Sequence, residues 1–209
     1  MKIALKYVPC TVCVLDVGAD QGYFSLAINE RKQRVYATEN KKGPYSGLVK
    51  TIAGFPKASV IPLFQDGLKT VPEDVDFIAI LGMGGLTISR ILEGNLEALK
   101  RVKEVLIEPQ SDFSSPIKTL LNNGFENDSG EYLKETRYYP LLHFKKTNIR
   151  KDYTSLELEL GPYPLKQKDV LLKEFLLKEQ TRYNNLNEEG KKNHQTEIKF
   201  YQDALGLFD

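Results

Sequence analysis

The chain has 209 residues, 41% of them hydrophobic and 27% charged, with 29 Lys+Arg against 28 Asp+Glu and a formal net charge of +1. That balance excludes wholesale disorder and a uniformly basic nucleic-acid coat, so a nucleic-acid partner has to be met by local patches. No apolar run approaches the ~20 residues that span a bilayer. The opening MKIALKYVPCTVCVLDV lacks a sustained apolar stretch followed by small residues, so a cytoplasmic protein without a membrane segment is expected.

Cys10 and Cys13 form one C-x-x-C. A structural zinc site needs further ligands and no second pair exists; a thioredoxin-type pair opens a helix, whereas this one leads into a strand. Two reduced thiols, and no metal, are the expectation.

Taken in chain order, 12–17 is a short apolar run followed by Gly18-Ala19-Asp20-Gln21-Gly22 and then Tyr23, Phe24, Leu26, Ala27 and Ile28. This reads as a buried strand, a tight turn and a helix. The pattern recurs. A strand over 34–38 ends at Glu39, with a helix from Pro44, a residue suited to a first turn. A strand over 59–64 ends at Gln65-Asp66-Gly67. One over 75–81 ends at Gly82-Met83-Gly84-Gly85, with a helix through Leu99, and one over 102–107 ends at Glu108-Pro109-Gln110, with a helix over 115–121. Alternating strands and helices predict an α/β, Rossmann-like, mostly parallel sheet.

Beyond the turn at Asn122-Asn123-Gly124-Phe125 the pattern changes. Segments 131–135 and 138–146 read as extended, and so does 153–160, where Leu156, Leu158 and Leu160 alternate. An antiparallel edge on a parallel sheet accounts for them. After Gly161-Pro162-Tyr163-Pro164, Leu165, Leu172, Glu179 and Leu186 fall on a seven-residue spacing, and Ile198, Tyr201 and Leu205 recur at helical intervals. A helical hairpin, 165–184 and 194–206, is predicted across a polar loop. The expected division is a domain over 1–161 and a small helical, coiled-coil-like domain over 162–209.

Ligands of open α/β sheets bind outside the carboxyl ends of the strands, where Asp16, Gly18, Asp20, Glu39, Asp66 and Gly82–Gly85 fall. Asp20 stands at the second glycine of a dinucleotide fingerprint, where a carboxylate repels a pyrophosphate, and no Gly-Lys-Ser/Thr is present, so NAD and ATP are disfavoured. S-adenosylmethionine, with a cationic amino-acid end, fits better. Asp16 can receive its ammonium, directly or through water, and Gly18 lets the backbone approach. Glu39 can accept the ribose hydroxyls and Asp66 the adenine amino group. The expected cofactor contacts are Asp16, Gly18, Ala19, Glu39, Asn40, Gln65, Asp66, Gly67, Gly82 and Met83.

Asp16-Val17-Gly18-Ala19-Asp20-Gln21-Gly22-Tyr23, Glu39-Asn40-Lys41-Lys42-Gly43-Pro44, Gln65-Asp66-Gly67-Leu68, Gly82-Met83-Gly84-Gly85, Glu108-Pro109-Gln110 and Asn123-Gly124-Phe125 follow one another along residues 12–146. In these motifs and their order the chain resembles the bacterial tRNA (adenine-22-N1)-methyltransferase family, a class I S-adenosylmethionine-dependent group. The resemblance implies a Rossmann-like methyltransferase domain, a C-terminal helical domain, and methylation of N1 of adenine 22 in tRNA. Two departures stand out: Gln21 occupies a position where the family usually carries His, and only a short segment precedes the first strand.

Adenine N1 carries an in-plane lone pair, so an enzyme acting there has to align it and exclude water rather than create a nucleophile. Methylation leaves the ring cationic until N6 loses a proton. Asp20 is the candidate catalytic carboxylate that stabilises this charge or takes the proton. No Pro-Pro occurs, which disfavours methylation of an exocyclic amine by the motif that carries it. Small Gly84 and Gly85, with Pro109 and Gln110, are the expected contacts of an extruded base. Lys145, Lys146 and Arg150, near Lys151, form one basic cluster for tRNA phosphates, and Arg31, Lys32, Arg34, Lys41 and Lys42 a second. A class I methyltransferase of another RNA or small molecule, or an idle RNA-binding protein of the same fold, are the alternatives. The protein is expected to be a monomer.

Overall fold

The computed structural model describes residues 2–31, 33–149 and 151–209. Among these, seven strands form one sheet in the order β3-β2-β1-β4-β5-β7-β6. The strands are β1 (Val14–Val17), β2 (Val35–Glu39), β3 (Val60–Phe64), β4 (Phe77–Met83), β5 (Glu104–Pro109), β6 (Phe125–Lys134) and β7 (Tyr138–Lys146). β1 to β5 run parallel, and β7 adds antiparallel to β5 and to β6. All four residues of β1 are buried, as a strand covered on both faces requires. One face packs Leu15, Ile78, Ile80, Val105 and Ile107 against the following helices. The other packs Val14, Val35, Phe77 and Leu106 against Phe24, Ile28 and Leu48. The chain order reverses between β1 and β4, so the topological switch point lies at the carboxyl end of β1.

The helices of the first part are α1 (Tyr23–Asn29), α2 (Lys42–Ala53), α3 (Gly85–Glu93), α4 (Leu96–Arg101) and α5 (Ser114–Asn122). The single helix expected through Leu99 is split at Gly94. There Asn95 Oδ1 accepts from the Ala98 N–H at 3.0 Å and starts α4, while its amide donates to Leu68 O at 2.9 Å. Before β1, a single 3₁₀ turn (Ala4–Tyr7) is pinned by Arg31, which donates to Leu5 O and Val8 O at 2.8 Å each.

The largest correction concerns 153–160. Its end is not a strand but helix α6 (Ser155–Leu160). Thr154 Oγ1 accepts from the Glu157 N–H at 3.2 Å and Glu157 Oε2 accepts from the Thr154 N–H at 2.7 Å, a reciprocal capping box. The leucine alternation was misleading; Thr-x-x-Glu carried the information. The hairpin is also more broken than its periodicity predicts. α7 (Pro162–Lys166) precedes α8 (Val170–Asn184), which Asp169 caps through Leu172 N–H at 2.8 Å. The polar loop contains α9 (Glu188–Asn193) before α10 (Gln195–Gly206). These helices share a core with the sheet: Tyr132 of β6 and Leu160 pack with Leu172, Leu176 and Ala204, and the Tyr132 hydroxyl donates to Leu160 O at 3.0 Å.

Candidate active site

The carboxyl ends of β1 to β4 enclose a cavity of about 950 Å³, the size of a small-molecule pocket. Of the residues singled out from sequence, Gly18, Asp20, Glu39, Asn40, Gln65, Asp66, Gly67, Gly82 and Met83 line it. Gly18 has φ +71°, a left-handed backbone that favours glycine, and a Cβ there would press on the flexible end of the Met83 side chain. Its N–H and that of Ala19 both donate to Thr38 O at 3.0 Å, tying the first loop to β2.

Glu39 and Asp66 are acids with one oxygen committed and one available. Glu39 Oε1 accepts from the Asp20 N–H at 2.7 Å, an arrangement that goes with the left-handed Asp20 backbone, φ 50°. Asp66 Oδ1 accepts from Asn40 at 2.8 Å. Gln65 turns its amide to its own loop, donating to Thr70 O at 2.8 Å and Gly67 O at 3.2 Å. It thereby holds Asp66 in place. Between the acids the wall is apolar, from Pro44, Leu68, Leu81, Met83 and Ile91. Two acids that accept hydroxyl and amino donors across an apolar slot suit an adenosine group.

Asp16 and Ala19 are not on the wall. Ala19 packs into the core. Asp16 is 4% exposed beneath the floor, where Ser25 donates to its carboxylate at 2.5 Å. Burial pushes Asp16 from 3.8 up to about 6, against the lowering effect of Ser25, with the nearby Glu39 carboxylate adding to the rise. Sequence reasoning missed Thr38, Thr87, Arg90 and Ile91. Thr87, Arg90, Ile91 and Gly94 recur three and four apart, one helical face that could have been read as pointing to the site.

Gly84, Gly85, Pro109 and Gln110 sit beside the cavity but do not line it. The Gly85 N–H donates to Ser111 O at 2.7 Å, the Gln110 N–H to Met83 O at 2.8 Å, and a Cβ on Gly85 would lie 1.8 Å from Asp112 O. Their smallness and register lock two loops together next to the cavity. Lys145 and Lys146 are removed from the site altogether. Lys145 pairs with Glu104 at the start of β5, four residues, or roughly 13 Å of strand, from Glu108 at the cavity end. It bridges to Asp128 at 3.0 Å. Lys146 donates to Leu99 O at 2.9 Å and Asn123 O at 2.8 Å, closing the last turns of α4 and α5, with burial lowering its pKa. Arg150 lies outside the described residues, as does Lys32.

The cysteines are free: Cys10 is exposed, while Cys13 donates to Asp74 at 3.6 Å and burial pushes its thiol up to about 12. No helix among the described residues is long and apolar enough to cross a membrane.

No curated protein matches the chain. Among solved structures, Streptococcus pneumoniae Sp1610 in complex with S-adenosyl-L-methionine superposes with a TM-score of 0.87 at 25% identity, over 98% of this chain and 97% of that one. The Bacillus subtilis m1A22 tRNA methyltransferase TrmK gives 0.81 at 19% identity, over 98% and 96%. M. capricolum TrmK in complex with S-adenosyl-homocysteine gives 0.81 at 18% identity, over 100% and 97%. The family model for tRNA (adenine(22)-N(1))-methyltransferase matches residues 14–207, and the chain belongs to that family.

Proposed function

We propose that this protein transfers a methyl group from S-adenosylmethionine to N1 of adenine 22 in tRNA. The family match across residues 14–207 carries this reading. The cavity at the switch point, with Glu39 and Asp66 on its wall, supports the cofactor. When bound, S-adenosylmethionine supplies an electrophilic methyl group at a sulfonium. The chain's own part is to hold and align. Glu39 accepts the ribose hydroxyls and Asp66 the adenine amino group. Gly18 keeps the first loop close, and Asp16, ionised beneath the floor, attracts the cationic amino-acid end. Met83 closes the cavity over Gly18. Target N1 needs only its lone pair directed along the methyl–sulfur axis in a site that excludes water. Asp20, exposed on the wall, faces the positive charge that builds on the ring.

The tRNA contacts follow the exposed cations nearest the cavity, Lys41, Lys69 and Arg90, and those of the C-terminal helices, Lys191, Lys192 and Lys199, which line a second hollow between α9 and α10. The protein acts as a cytoplasmic monomer. Methyl transfer from labelled S-adenosylmethionine to two unmodified tRNA transcripts, with adenine or guanine at position 22, tests the reading. Label in the adenine transcript alone is expected. Equal label in both overturns the position, and label in neither overturns the activity.

A further inference from the structure

From Lys41 to Phe64 the chain carries Lys41, Lys42, Lys50 and Lys57 and no carboxylate. All four lysines are exposed, and none joins an ion pair among the described residues. The same stretch, helix α2 and the edge strand β3, leaves apolar side chains uncovered, with Phe64 52% and Val49 39% exposed. Phe64 ends β3 and lies against Tyr45 of α2, with ring centroids 5.1 Å apart and planes inclined at 50°. Tyr45 is half-buried and packs into the core, so it holds the Phe64 ring from behind while half of that ring stays open. Lys42, Tyr45 and Val49 fall three and four apart and share one flank of α2. That flank begins at the cavity mouth. Lys41 and Pro44 line the cavity, as do Gln65 and Asp66, the two residues after Phe64, whereas Tyr45 and Phe64 lie outside it. A ligand enclosed in the cavity leaves the two rings uncovered, so their occupant is a molecule that continues out of the cavity.

We infer that Phe64, backed by Tyr45, is a stacking platform for the nucleotide next to the methylated adenine, with Lys41 and Lys42 at the phosphates beside it, an inference that rests on the methyl-transfer reading. To bring N1 to a methyl donor inside the cavity, the target base has to leave its stack, which strips one face of its neighbour of a stacking partner. An open aromatic ring at the cavity mouth restores that face. Lysines with no carboxylate among them meet the backbone alongside. A second copy of the chain fits the patch less well. Two copies meeting about a two-fold axis would set these lysines against one another. Pro62 also removes a donor from the edge strand to which a further strand would have to pair.

The test measures the tRNA dissociation constant of the unsubstituted protein, Phe64→Ala, Phe64→Leu, Phe64→Tyr and Ile61→Ala. Ile61 is the control, 39% exposed on the opposite face of β3. Each protein is titrated with intact tRNA and with tRNA made abasic at position 21 or at position 23, the two neighbours of the target. Cofactor dissociation constants, methyl transfer and sedimentation are measured alongside. Phe64→Ala and Phe64→Leu should weaken tRNA binding about 5- to 100-fold, the range for loss of one base–aromatic stack. Leucine keeps the apolar contact with Tyr45 and removes only the ring. Phe64→Tyr and Ile61→Ala should bind tRNA like the unsubstituted protein, and cofactor affinity should be unchanged throughout. On one of the two abasic tRNAs the unsubstituted protein should lose a similar factor, and Phe64→Leu almost nothing further. The stack is overturned if Phe64→Leu binds tRNA as tightly as the unsubstituted protein, if Ile61→Ala weakens binding as much, or if the losses multiply on both abasic tRNAs. A dimer of the unsubstituted protein that Phe64→Leu dissociates gives the patch to a second copy and overturns it too. Absence of methyl transfer by the unsubstituted protein overturns the methyl-transfer reading itself and the inference with it.

Discussion

Asp16→Asn should stabilise the cofactor-free protein while weakening cofactor binding. Asp16 is fully enclosed, and its carboxyl rises from 3.8 to about 6. At about 1.4 kcal/mol per unit, keeping it ionised at neutral pH costs the folded state about 3 kcal/mol. The folded protein holds this proton more tightly than the unfolded chain. The contribution of Asp16 to stability therefore falls as pH rises from about 4 to about 6, and the full cost is present above that. Asparagine keeps the shape and an oxygen for Ser25 but carries no charge. Allowing for a weaker bond to Ser25, a gain of about 1–3 kcal/mol is expected, or about 2–10 °C in melting temperature for a chain of this size. Melting of the cofactor-free protein at pH 7.5 and pH 5 measures it. The gain at pH 5 should be about half that at pH 7.5, because the unfolded chain is already ionised at pH 5 while folded Asp16 is mostly protonated. Titration with S-adenosylmethionine at pH 7.5 should give a raised dissociation constant, because the negative charge beneath the floor that we propose attracts the ammonium is gone. A lowered melting temperature at pH 7.5, or an equal gain at both pH values, would refute the argument that the charge is held at a cost for binding.

Gly18→Ala combines a left-handed backbone with a Cβ 2.1 Å from Met83 Cε, so melting should fall by about 1–3 kcal/mol equivalents and cofactor affinity should drop; Met83→Ala in the same chain should return part of the stability but not the backbone strain. Gly85→Ala drives a Cβ against the Asp112 backbone oxygen at 1.8 Å, and limited proteolysis should find the 110–113 loop opened. Asp20→Ala should leave the cofactor dissociation constant nearly unchanged, since the Asp20 contact to Glu39 runs through its backbone N–H, while kcat falls about 10²-fold or more; unchanged kcat removes Asp20 from the chemistry. Deleting 162–209 would bare Tyr132 and Leu160 and destabilise the sheet edge. Replacing Lys191, Lys192 and Lys199 by Gln is therefore the cleaner test of tRNA holding, read as weaker tRNA binding with a shallower salt dependence and intact cofactor binding.

The strand ends were legible in the sequence because buried parallel strands are short apolar runs and the polar residues that interrupt them gather at one edge. That placed Gly18, Glu39, Asp66 and Gly82 on a common rim before any coordinates, and the acid–glycine spacing already favoured S-adenosylmethionine over NAD. Segment 153–160 was misread because alternation over so few leucines fits two structures, and a local bond pair between Thr154 and Glu157 decided for the helix. Lys145 and Lys146 look like free cations in sequence, yet strand direction fixes which end of the sheet they reach, and β7 runs against β5. Composition cannot show that reversal, nor that Asp112 and Ser111 claim the space left by Gly85. The sequence by itself determined the alternating fold and the chemistry of the rim, since both follow from local apolar runs and their interruptions. Only the tertiary structure decided which side chains face the cavity, because burial and pairing depend on residues far apart in the chain.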